Sequence, residues 1–258
     1  MTEYALPNVS HDLKKQTALV TGASSGLGLR FAKVLAASGA QVALAARRVD
    51  RLEAVVGDIR KAGGTAQAFE LDVADADQLK AVVPAIEAAL GPVSILVNNA
   101  GIPDAQRATK MSMQLIDQVL DVNLRAPYVL SCEVARRLME LKLPGRIVNI
   151  ASVAAYDYGG QGAALYSITK AGVVRLTEAL AVEWAKFNIN VNGIAPGAFA
   201  SEMMDGMLQR VGDITAAFPR RRLGDPAQMD STLLYLVSPA SDAVTGTIIK
   251  IDDGQGRR

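Results

Sequence analysis

The chain has 258 residues and a formal charge of +1, from 27 Lys and Arg against 26 Asp and Glu. That balance offers no basic surface to nucleic acid or to an anionic membrane. Half of the residues are apolar, enough for one large α/β domain or two small ones with a substantial core. The one cysteine, Cys132, excludes an intramolecular disulfide framework and points to a reducing compartment. The one histidine, His11, lies in a polar leader, so there is no Cys/His cluster for a metal. It also leaves no partner for a Ser-His-Asp scheme. No apolar run nears the roughly 20 residues of a membrane span, and the first residues lack a basic start followed by an apolar core. A soluble cytoplasmic protein is expected.

Residues 1–14 read as a leader draped over the body, and 15–258 as one domain. Thr17–Thr21 is a short apolar strand. It runs into Gly22-Ala-Ser24-Ser25-Gly26-Leu27-Gly28, after which Leu27, Phe31, Val34 and Leu35 recur at helical spacing. Strands are expected at 41–45, 66–71, 93–97, 146–150, 189–194 and 247–251. The helices between them start near Asp50, after the capping residue Asp75, over 112–141 with a break near Pro127, over 163–186 and at Pro226. Pro196-Gly197 opens a stretch expected to be a mobile loop. Strand and helix alternate with no linker or repeat, which predicts one doubly wound, mainly parallel sheet, α/β in class. The ligand crevice of such a sheet lies at the carboxyl ends of its strands. Gly22–Gly28, Arg47-Arg48, Asp72, Asn98–Gly101, Ser152 and Pro196-Gly197 all follow strands.

The glycine-rich turn between the first strand and helix fits a pyrophosphate. A helix start offers unpaired N–H groups and a positive dipole, and glycines let the backbone come close. Its spacing is Gly-x3-Gly-x-Gly rather than the common Gly-x-Gly-x2-Gly. An NAD site usually places an acidic residue at the end of the second strand, for the ribose 2′-hydroxyl. Here Ala46 is followed by Arg47 and Arg48, and guanidinium groups suit a 2′-phosphate. NADP(H) is therefore preferred, with NAD(H) as the alternative; a solvated basic turn is the competing explanation.

Tyr166 and Lys170 are four apart on a helix and share a face. An ammonium beside a phenol favours the phenolate, so Lys170 is expected to lower the pKa of Tyr166 and fit it for proton exchange.

Together, Thr21-Gly-x3-Gly-x-Gly28, Asn98-Asn-Ala-Gly101, Asn123, Ser152, Tyr166-x3-Lys170 and Pro196-Gly197 resemble the short-chain dehydrogenase/reductase family, in order from about residue 15 to 254. The resemblance implies a single Rossmann-type domain with about seven strands and helices on both faces. It also implies a nicotinamide cofactor and metal-free hydride transfer. Carried over by motif, Tyr166 is the acid/base and Lys170 binds the nicotinamide ribose. Ser152 hydrogen-bonds the substrate oxygen, and Asn123 holds a water linking Lys170 to solvent. Asp72-Val73 and Asn99-Ala100-Gly101 resemble the adenosine contacts. Pro196, Gly197, Phe199 and Ser201 resemble the nicotinamide segment. Ser201 stands where threonine is usual, and Asp252-Asp253-Gly254 replaces Asp-Gly-Gly.

The substrate pocket is expected to be lined by Ser152–Tyr158, Gly197–Met207 and Ile102–Asp104. Within it Ser152, Tyr158, Tyr166, Met203 and Met207 are the expected substrate contacts. The methionines, with Met204, read as a core or lid face rather than a recognition device; as a lid they would form an adaptable apolar cover over a hydrophobic ketone. Arg220-Arg-Arg222 reads as a solvated turn, or as a docking patch for an acyl carrier or a CoA phosphate. The overall look resembles 3-oxoacyl-thioester reductases, although sugar, steroid and alicyclic alcohol dehydrogenases share the same motifs. A non-catalytic nicotinamide-binding regulator is the alternative of another kind. The resemblance implies a homotetramer acting on a small ketone or alcohol.

Overall fold

Seven parallel strands form one sheet in the order β3-β2-β1-β4-β5-β6-β7. They are β1 (Thr17–Thr21), β2 (Gln41–Ala46), β3 (Thr65–Glu70), β4 (Val93–Asn98), β5 (Gly145–Ile150), β6 (Ile189–Pro196) and β7 (Ile248–Ile251). The computed structural model describes residues 7–104, 106–160 and 162–256. Each expected strand is present within two residues of its expected limits.

The α-helices among the described residues are α1 (Gly26–Ala37), α2 (Val49–Lys61), α3 (Ala76–Leu90), α4 (Met113–Leu120), α5 (Ala126–Leu141), α6 (Ala164–Trp184), α7 (Glu202–Val211) and α8 (Asp230–Val237). Strand β1 shows why they divide between two layers. Ala18 and Val20 pack in one core with Phe31 and Leu35 of α1, Leu52 of α2 and Leu233 of α8. Leu19 packs in the opposite core with Leu79 of α3, Leu130 of α5 and Leu180 of α6. Successive side chains on a strand face opposite sides, so a continuous apolar strand serves two cores.

Residues 7–14 lie against the α1/α8 side. Leu13 is fully buried and its N–H bonds the Ser38 carbonyl at 2.8 Å. Ser238 Oγ donates to the Ser10 carbonyl at 2.7 Å. The first six residues of the expected leader lie outside the described residues, as do residues 257 and 258 of the expected domain.

The expected break in the 112–141 stretch is a π-helical segment, Asp121–Arg125, just before Pro127, and two later elements differ from expectation. Pro127 itself sits in the first turn of α5, where a missing N–H costs little. Pro226 opens a single 3₁₀ turn, Pro226–Met229, ahead of α8. The expected loop after Pro196-Gly197 contains the ten-residue helix α7, capped by Ser201 Oγ accepting from the Met204 N–H at 3.2 Å. None of its residues is buried, so it lacks the apolar core face that signals a helix in a sequence.

The chain leaves β1 toward β2 on one side and returns through β4 on the other, placing the switch point of the sheet between β1 and β4. A crevice at the carboxyl ends of the strands follows from that topology.

Candidate active site

A cleft of about 820 Å³ opens at that end of the sheet, a size that suits a cofactor with a small substrate. Gly22, Ser24, Ser25, Gly26 and Leu27 form one wall. Arg47, Arg48, Asp72 and Val73 lie at one end, and Ser152, Tyr166 and Lys170 toward the other.

The glycine turn is held by β4. Thr21 Oγ1 accepts from the N–H groups of Asn99 and Ala100, at 3.0 and 3.1 Å. Asn99 Nδ2 in turn donates to the Thr21 carbonyl at 2.9 Å. The turn depends on missing side chains. A Cβ on Gly28 would stand 2.4 Å from both Asn99 Nδ2 and the Gly22 carbonyl oxygen, and Gly22 has a φ of +65°. Gly28 lies behind the lining, where it lets α1 approach the turn. Ser25, at the N-cap of α1, makes no side-chain capping bond. The start of α1 therefore keeps the exposed N–H groups that an anion needs.

Arg48 is drawn into this turn. Its Nε and Nη2 donate to Ser24 Oγ at 3.2 and 2.9 Å, and Nη2 also donates to Ser25 Oγ at 3.0 Å. Nη1 donates to Glu202 Oε2 at 3.0 Å, from the start of α7, and Arg51 bonds the other oxygen of Glu202. The two guanidiniums hold the Glu202 carboxyl below the usual carboxylate range, Arg51 more strongly than Arg48. Arg47 is exposed beside them. A cradle of N–H groups, two hydroxyls and two cleft-lining arginines, with no carboxylate at the end of β2, fits a dinucleotide carrying a 2′-phosphate.

At the other end, Ser152 follows β5, and its Oγ accepts from the Ala154 N–H at 3.1 Å. It lies in the same lining as Tyr166, close enough to favour the phenolate. Lys170, one turn along α6, is buried and donates from Nζ to the Ile150 carbonyl at 2.7 Å. Burial pushes its pKa down to about 8. Nζ lies 5.6 Å from the centre of the Tyr166 ring. The expected lowering of the Tyr166 pKa by Lys170 is therefore corrected. Burial raises it foremost, Ser152 pulls it back, and the Asp104 carboxylate pushes it up again. The ammonium is committed to a backbone carbonyl, and the phenol is desolvated.

Asn123 sits in the π segment, a device frequent at functional sites. Its Oδ1 accepts from the Ile102 N–H and its Nδ2 donates to the Ile102 carbonyl, both at 2.9 Å. A Cβ on Gly101 would lie 3.5 Å from Asn123 Oδ1 and 3.6 Å from Lys170 Nζ, so the loop after β4 passes between them.

The structure places the predicted residues in the lining of one cleft except Gly28 and Asn123, which stand behind it, and Tyr158. Tyr158 is half-exposed, and its hydroxyl accepts from the Ala163 N–H at 3.4 Å. Its neighbours Asp157 and Gly159 line the cleft, so Tyr158 stands beside the lining. Phe199, Ser201, Met203 and Met207 line the cleft with Pro196 and Gly197, and none of the three methionines of this stretch is buried. Reading the sequence missed Arg210 and Gln255, which also line the cleft, and did not single out Glu202 within the expected 197–207 lining. Each is a polar residue whose place depends on how α7 and the C-terminal turn fold back, so no local pattern marks it. Arg220 and Arg222 both pair with Asp253, the residue that breaks the usual Asp-Gly-Gly.

These features define a class. Residues 16–211 match the family model of the short chain dehydrogenases, and the chain belongs to that family of oxidoreductases. It is 35% identical over 252 residues to 2-dehydro-3-deoxy-D-gluconate 5-dehydrogenase of Formosa agariphila, covering 94% of this chain and 93% of that one. It is 36% identical to a 3-oxoacyl-acyl-carrier-protein reductase of Staphylococcus aureus, covering 93% and 97%. Among solved structures, one from Beutenbergia cavernae, described as an NAD(P)-dependent gluconate 5-dehydrogenase with bound NADP, superposes with a TM-score of 0.89. The identity is 36%, covering 96% of this chain and 99% of that one.

Proposed function

We propose that the protein reduces a ketone to a secondary alcohol, and reverses that reaction, with NADP(H) as its preferred cofactor. The observation that carries the reading is the grouping of Ser152 and Tyr166 with buried Lys170 in the lining of one cleft, whose other end holds Arg48. The nicotinamide supplies or accepts the hydride. Ser152 holds the substrate oxygen where negative charge develops, and Tyr166 gives that oxygen a proton or takes one from it. Lys170 orients the cofactor ribose and, with Asn123, relays protons toward solvent. Gly22–Gly28 and the start of α1 take the pyrophosphate, Arg48 and Arg47 the 2′-phosphate, and Asp72 and Val73 the adenine side. Tyr166→Phe is the test: NADPH binding stays within about twofold while ketone-dependent NADPH oxidation falls at least about 10³-fold. Surviving turnover would refute the assignment.

The substrate end of the cleft is largely apolar, with Met203, Met207, Ile214 and Phe218, which favours a 3-oxoacyl thioester. Arg210 in the same lining supports a second reading, a ketone of a sugar acid whose carboxylate it would bind. Catalytic efficiencies across both classes separate them. We assign a homotetramer and a cytoplasmic setting to the same proposal. An apolar depression of about 630 Å³ lies between the 120–128 stretch and α6, and Tyr128, Ile168 and Val182 are exposed on that side of the molecule's helices. A monomer at micromolar concentration in sedimentation would refute the assembly. No helix among the described residues is long and apolar enough to cross a membrane.

A further inference from the structure

Helix α6 carries Tyr166 in its first turn, yet its N-cap, Ala163, has no side chain able to cap it. The first N–H groups of a helix have no intrahelical partner and need an outside acceptor. Asp104 provides one from 61 and 62 residues away. Its Oδ2 accepts from the N–H groups of Leu165 at 2.9 Å and of Tyr166 itself at 3.1 Å. The side chain is 3% exposed. It ends the same short run, 101–104, whose Ile102 is bonded twice by Asn123. One loop thus joins the asparagine, the glycine beside Lys170 and the helix of the tyrosine.

A carboxylate in this place has two effects. Its charge complements the positive end of α6 and fixes the first turn against the cleft loop. It also brings negative potential close to the phenol. Three polar groups lie near that phenol, Ser152 after β5, Lys170 on α6 and Asp104 on the cleft loop, and Asp157 lines the same cleft. Of the charges, Asp104 is the one that acts on Tyr166, and it adds to the effect of burial.

We propose that Asp104 is a positioning residue of the reaction, which tethers the first turn of α6 and holds Tyr166 as a protonated donor. The inference rests on the acid/base role assigned to Tyr166 above. An uncharged cap would leave the helix in place and make the phenol easier to ionise.

The test compares wild type, Asp104→Asn, which keeps an acceptor without the charge, and Asp104→Ala, which has neither. The readouts are the pH profile of kcat/KM for alcohol oxidation and an ultraviolet titration of tyrosinate, with Tyr166→Phe marking which transition belongs to that residue. In Asp104→Asn both midpoints move to lower pH, and oxidation at neutral pH rises about threefold. In Asp104→Ala the midpoints move the same way and the melting temperature falls. Unmoved midpoints in a folded Asp104→Asn protein with unchanged NADPH affinity overturn the inference and leave Asp104 a structural cap. A wild-type profile with no transition that Tyr166→Phe removes overturns the acid/base reading instead. Should Asp104→Asn not fold, Asp104→Ser keeps a short acceptor and decides by the same readouts.

Discussion

Lys170 Nζ and the carbonyl oxygen of Ile150 are 2.7 Å apart, a hydrogen bond that ties α6 to the last residue of β5. The ammonium is buried with this one bond to the protein's backbone, and burial lowers its pKa from 10.5 to about 8. Folding therefore disfavours the charged form. The unfolded chain binds more protons than the folded one between these values, so stability rises with pH across that window. The contribution is fully present above 10.5 and is lost as pH falls through about 8. Its size is about 3 kcal/mol. Denaturant unfolding at a series of pH values should show this rise in the cofactor-free wild type. Subtracting the Lys170→Met curve isolates it, and identical curves would contradict it.

Arg48 is held by Ser24 and Ser25, whereas Arg47 is exposed. A side chain already in place loses less freedom on binding. Arg48→Ala should therefore raise the KM for NADPH by about tenfold or more and leave that for NADH within about twofold. Arg47→Ala should have the smaller effect. Equal losses for both cofactors would show that Arg48 serves the turn and not the phosphate.

Gly28→Ala places a methyl group 2.4 Å from the Gly22 carbonyl oxygen and from Asn99 Nδ2. Backbone must move to admit it, at a cost of about 1–3 kcal/mol. The β1–β4 staple opens with it, so the loss of NADPH affinity by calorimetry should exceed the loss of stability. Gly57→Ala is the control, since nothing lies within 4 Å of a Cβ there.

Asn123→Ala leaves both backbone groups of Ile102 without their side-chain partner. Unsatisfied buried polar groups cost about 1–3 kcal/mol each. A drop of about 2–4 kcal/mol in unfolding free energy is expected, with kcat falling more than the KM for cofactor. A stable variant with normal kcat would remove Asn123 from the site.

The sheet was legible because β1, β4 and β6 are apolar runs closed by Gly, Asn or Pro, the other strands alternate with helical segments, and the residues after the strands carry the ligand chemistry. Tyr166, Lys170, Ser152 and the glycine turn could be read because local spacing sets their geometry. Helix α7 was not legible, because its apolar side faces a cleft instead of a core. Tyr158 stands beside the cleft and not in its lining, because a loop gives no rule for which of two neighbouring side chains turns inward. Asp104 and Glu202 act on partners 61 and 154 positions away, through Leu165 and Arg48, and a distance of that kind leaves no periodic trace. The direction of the Tyr166 shift also failed from spacing alone, since spacing brings Lys170 near but does not say where its ammonium points.

Glu202 lines the cleft and pairs with Arg48 and Arg51, so two ion pairs tie the start of α7 to the start of α2. With the coenzyme seated as proposed, this tie is a latch that opens for it to leave. Raising ionic strength should loosen the latch and quicken coenzyme departure in stopped-flow experiments, and Glu202→Gln should do the same without added salt.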